Sequence, residues 1–124
     1  MRTLMLLACT GPVDSADSSG SDRPIVDSLV GVDLGGGVVV VSASPDPPDV
    51  GENTWVVSIT GDEVVVSPLM PEHGHGTTPP SFTGEAVESG LQIGPMPLMM
   101  AGLWAFSLSV DGADPVVYQL WLEG

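Results

Sequence analysis

A chain of 124 residues has room for one domain. Its 16 acidic residues against 2 arginines give a formal net charge of −14, which repels nucleic-acid phosphates and so excludes nucleic acid as a partner. Hydrophobic residues make up 43%, enough for a small core, and the prevalence of valine among them favours strands over helices.

At the start, Arg2 precedes the apolar run Leu4-Met5-Leu6-Leu7-Ala8, which ends at Cys9, the only cysteine. A positive start, an apolar stretch and small residues at its end are the order of a secretory signal, although Thr3 to Ala8 falls short of the ~7–15 residues usual for the apolar part. Leu6-Leu7-Ala8-Cys9 resembles the bacterial lipobox, in which the cysteine is lipidated and becomes the mature N-terminus. The expectation is a signal segment over 1–8, a lipid anchor on Cys9 and an extracytoplasmic position facing the periplasm or cell surface. The alternative is an apolar N-terminus with a free thiol. A lone cysteine leaves no intramolecular disulfide and no Cys-rich zinc site. No other stretch is long and apolar enough to cross a bilayer as a helix.

Thr10 to Pro24 is rich in Ser, Asp and Gly and has little to bury, so the sequence predicts a disordered tether over 9–34 and a domain over 35–124. Within the tether, residues 25–34 (IVDSLVGVDL) also suit a first edge strand. Val38 to Val41 is the next strand, and the three prolines of Ser44 to Gly51 make that stretch a loop. Thr54 to Thr60 alternates, with Trp55, Val57 and Ile59 on one face. Gly61-Asp62 then separates it from Glu63–Ser67, a spacing expected of a two-residue hairpin. Further strands are expected near Phe82 and near Leu91-Ile93. Leu103 to Val110 alternates with Trp104, Phe106, Leu108 and Val110 on one face. Asp111 to Pro115 is a turn, and Val116–Leu122 the last strand. About seven short strands and no stripe of helical period predict an all-β, antiparallel β-sandwich.

One stretch carries chemistry. Met70-Pro71-Glu72-His73-Gly74-His75-Gly76 gathers both histidines of the chain, a thioether and a carboxylate into seven residues. If 73–75 run extended, side chains two apart share a face and both imidazoles reach one point. Gly74 removes the side chain between them, Gly76 permits a turn, and Pro71 stiffens the approach. Paired imidazoles with a thioether suit copper. The plain alternative is a Gly/Pro-rich turn whose histidines face water.

Asn53-Thr54-Trp55, the Met70–Gly76 stretch and Met100-Ala101-Gly102-Leu103-Trp104 occur in the order seen in YtkA-like domains. The resemblance covers roughly residues 45–124. These domains are small secreted or membrane-tethered modules related to FixH-like proteins, and the resemblance implies an immunoglobulin-like sandwich and an association with periplasmic copper handling. The chain departs from the pattern in the tight spacing at Gly61-Asp62 and in Pro79-Pro80, which follow the histidines closely.

Residue chemistry and resemblance together nominate His73 and His75 as imidazole ligands and Met70 and Met100 as thioether ligands, with Met96 and Glu72 as additional candidates. Cu(I) is soft and accepts two to four such ligands without strict geometry. Zinc prefers histidine with carboxylate, so His73, His75 and Glu72 make the alternative site. Met99 and Met100 point to opposite faces of a strand, so only one of them faces the histidines; the resemblance selects Met100. Methionine is also common core filler. Trp55 and Trp104 are expected in the core.

Nothing recommends an enzyme. The two histidines sit in the metal motif, the cysteine is assigned to the anchor, and Ser and Asp cluster in the tether, where nothing holds a triad. Two functions follow: a tethered module that buffers copper or exchanges it with a donor or acceptor protein, and a structural or protein-docking domain without metal.

Overall fold

In each long strand alternate side chains turn inward, and the chain folds to give all of them one core. The computed structural model describes residues 23–123; the signal segment, Cys9 and the tether as far as residue 22 lie outside the described residues. Among the described residues ten strands form: β1 (Asp33–Gly35), β2 (Val38–Ser44), β3 (Gly51–Ser58), β4 (Val64–Met70), β5 (His75–Gly76), β6 (Phe82–Thr83), β7 (Glu85–Val87), β8 (Gly90–Leu98), β9 (Gly102–Val110) and β10 (Val116–Leu122). They make two antiparallel sheets, β1-β2-β3-β8-β7 and β10-β9-β4-β5, with β6 paired to β4.

Seven of these strands follow the immunoglobulin connectivity. With β2, β3, β4, β7, β8, β9 and β10 as A to G, the sheets read A-B-E-D and G-F-C. The remaining three are two or three residues long. In immunoglobulin domains strands B and F are joined across the core by a disulfide. Here Trp55 of β3 meets Phe106 of β9 at the equivalent place, with ring centroids 4.8 Å apart and planes tilted by 51°. Both side chains are fully buried, so Trp55→Ala should cost about 3–5 kcal/mol.

Three sequence expectations change. The two-residue hairpin at Gly61-Asp62 does not form, because β3 and β4 belong to opposite sheets. Val57 and Val64 are both fully buried, one on each side of the core, so the chain between them crosses rather than folds back. Asp111 fixes the crossing: its carboxylate accepts hydrogen bonds from the Asp62 and Glu63 amides, each at 2.9 Å.

Of the two readings of residues 25–34, tether or first edge strand, the structure favours the second: they pack on the sandwich and end in the edge strand β1. Leu29 is completely buried, and Leu34 lies in β1 against β2. Gly31 donates to the Val40 carbonyl at 2.8 Å, and the Trp121 amide donates to Pro24 at 2.9 Å. Asp46 accepts from the Leu29 amide and the Ser28 hydroxyl, both at 2.7 Å. The Arg23 guanidinium lies over the Trp121 ring, 4.3 Å from its centroid.

The third change is in the strand expected near Leu91-Ile93: as β8 it runs on through Pro95 and Pro97 to Leu98. Its neighbour β7 pairs only with Gly90 to Gln92, so the prolines lie where one flank of the strand has no partner to lose.

Candidate metal centre

The histidine loop is made by its backbone. The Met70 carbonyl accepts from the His73 amide at 3.0 Å and from the Gly74 amide at 2.9 Å, closing a tight turn at the end of β4. Gly74 has φ +71°, a left-handed conformation that favours glycine. The chain then returns along β4 as β5, with His75 opposite Met70 and Gly76 opposite Leu69. Residues 73 and 74 are therefore in the turn and only His75 begins a strand, so 73–75 is not an extended run. The imidazoles nevertheless come together, with ring centroids 5.7 Å apart and planes tilted by 33°. With metal–nitrogen bonds of about 2.0–2.1 Å, two imidazole centroids on one ion lie up to roughly 6 Å apart, so the pair is within reach of a shared ion. Both histidines are exposed.

His75 lines a cleft of about 300 Å³ whose far wall is the turn from β8 to β9. Met99, Met100, Pro97 and Trp104 face it from that side, and Thr77 and Thr78 complete it. Met99 and Met100 lie between Leu98, the last residue of β8, and Gly102, the first of β9. Outside a strand the alternation rule does not apply, and both methionines reach the same cleft. Trp104 is buried, and its indole N–H donates to the Met100 carbonyl at 2.9 Å, which ties this turn to β9.

The other nominated ligands are elsewhere. Met70 is 1% exposed; its side chain packs in the core, and its methyl lies 3.0 Å from where a Cβ on Gly102 would stand. Met96 is completely buried in β8, opposite Asn53. Both are core filler in this fold. Glu72 is exposed in the turn, but among the described residues no three His, Cys, Asp or Glu side chains converge on one point. The zinc-type set of His73, His75 and Glu72 is therefore not assembled. Two imidazoles and the thioethers of the facing turn remain, a soft donor set.

The strand rule admits one of Met99 and Met100 and the resemblance selects Met100, whereas both line the cleft. The signal in the sequence is Met99-Met100-Ala101 between Leu98 and Gly102, a stretch with no β-branched or aromatic residue. Comparison with known protein families, with curated proteins and with solved structures finds no match to this chain.

Proposed function

We propose that this protein is a copper-binding module of the YtkA-like type, tethered outside the cytoplasm through Cys9, in which His73, His75 and Met100 hold the ion. The observation that carries the reading is the meeting of His75 and Met100 in one cleft, with the His73 ring 5.7 Å from that of His75. These side chains come from two separate turns and are all exposed. The donor set is two nitrogens and a thioether, which suits Cu(I) better than a hard cation. An open cleft with exposed ligands fits an ion taken up from one protein and passed to another. The acidic chain adds a field that concentrates cations.

The test is a Cu(I) competition titration of the full chain in a Cys9→Ser background, which removes the only thiol. One-to-one binding lost in His73→Ala/His75→Ala is the expected result. Binding equal in the two proteins would remove the copper reading. Metal at 100 times its Kd should also raise the stability of the histidine-containing chain by about 2.7 kcal/mol and leave the double variant unmoved.

A second reading, a protein-docking domain, is favoured by a different feature. The outer face of the β10-β9-β4 sheet carries a cleft of about 550 Å³ lined by Leu69, Ala105, Ser107 and Val117, with the 76–81 segment along its rim. Leu69 and Val117 are both exposed there. Under that reading the histidine variants change nothing that can be measured by metal titration.

A further inference from the structure

The four methionines of the described residues divide sharply. Met70 and Met96 are buried to 1% or less, whereas Met99 is 58% and Met100 42% exposed. Filling the core accounts for the first pair and cannot account for the second. Nor does the turn call for them, since tight turns favour Gly, Pro, Asn, Asp and Ser. Two adjacent thioethers are thus held at the surface, against the hydrophobic effect, on the wall of the cleft that His75 lines.

Resting on the copper reading above, we infer that Met99 is a second thioether ligand and that the centre is a paired-methionine site selective for Cu(I). Two neutral sulfurs beside two imidazoles lower the affinity for Zn(II) and Cu(II), which favour nitrogen and oxygen donors, and leave that for Cu(I) high. Methionine has three rotatable bonds, so both exposed side chains can swing onto an ion without moving the backbone. The Trp104 indole N–H, donating to the Met100 carbonyl, ties down the turn that carries both thioethers.

The experiment uses the full chain in the Cys9→Ser background, with methionine methyl groups labelled with carbon-13. Ag(I) serves as the redox-inert probe for the Cu(I) site, and Met99→Leu and Met100→Leu assign the two resonances. One equivalent of Ag(I) should move the Met99 and Met100 methyl signals and leave those of Met70 and Met96 in place. Met99→Leu should weaken Ag(I) and Cu(I) at least tenfold and leave Zn(II) unchanged. The unmoved Met70 and Met96 signals show that the variant is folded. Movement of the Met100 signal alone, with Met99→Leu binding as the parent does, overturns the paired site and leaves the copper reading standing. If no methyl signal moves and His73→Ala/His75→Ala binds as the parent does, both fall.

Discussion

At the end of the sandwich where β3 crosses to β4 and β9 turns into β10, Asp111 and Ser109 serve the backbone with their side chains; in the histidine loop and the methionine turn at the opposite end, the imidazoles and thioethers do not. Asp111 accepts two amide hydrogens with its carboxylate, and its own amide donates to Glu63. The Ser109 hydroxyl donates to the Ala113 carbonyl at 2.7 Å. Across the molecule, the Met70 carbonyl alone closes the histidine loop by taking two amides. The imidazoles and the thioethers of Met99 and Met100 are left facing solvent. A side chain that completes a backbone turn is accounted for by folding. One that does not, and is exposed beside others of matching chemistry, needs another reason to be there.

That contrast can be broken at either end. Of changes at the two ends, the largest effect is expected from Gly76→Ala, because a Cβ there would stand 2.5 Å from the Pro68 carbonyl oxygen, a backbone atom with little room to yield. Separating β5 from β4 should cost about 1–3 kcal/mol in urea denaturation and displace His75, so copper affinity falls with stability. At the other end, Asp111→Ala removes the acceptor of two amides and places alanine at φ 53°. A loss of about 1–2 kcal/mol is expected, with copper affinity unchanged; a change in affinity would mean that the two ends are coupled.

The smallest effect concerns Asp46. The Leu29 amide, and after it the Ser28 hydroxyl, hold its carboxyl below the ordinary value. A depressed folded-state value gives stability that is present above the unfolded pKa, about 3.9, and is lost as pH falls through the folded one. Acid should therefore loosen residues 28–31 first, seen as faster amide exchange at Leu29 relative to the core strands. Asp46→Asn should show that faster exchange at neutral pH. If Leu29 exchanges at the same rate in both proteins, Asp46 does not hold this segment.

The sandwich was legible where alternation was strict. Trp55 and Val57, then Trp104, Phe106 and Leu108, declare their buried faces by spacing, and the turn at 111–115 is written in Asp, Gly and Pro. Which sheet a strand joins is not local information. Gly61-Asp62 looks like a hairpin in isolation, and only the burial of both flanking strands against one core shows that it is a crossing. Residues 25–34 are mostly apolar but interrupted by Asp, Ser and Gly, so the sequence left tether and first edge strand both open; β1 and the burial of Leu29 decide for packing. At the site, the pairing of His73 with His75 was legible although the conformation that produces it was not. Which methionines are core filler was not legible, because Met70 and Met96 differ from Met99 and Met100 in exposure, which spacing does not give.

The hydrogen bond from Trp121 to Pro24 has a consequence for orientation. Trp121 and Leu122 pair with Leu103 and Gly102, so the chain enters the sandwich at the same end as the histidine loop and the methionine turn. Sideways, β10 and β5 are three strand spacings apart, roughly 14 Å. If Cys9 carries a lipid, the tether joins the domain at the end that carries the histidine loop and the methionine turn.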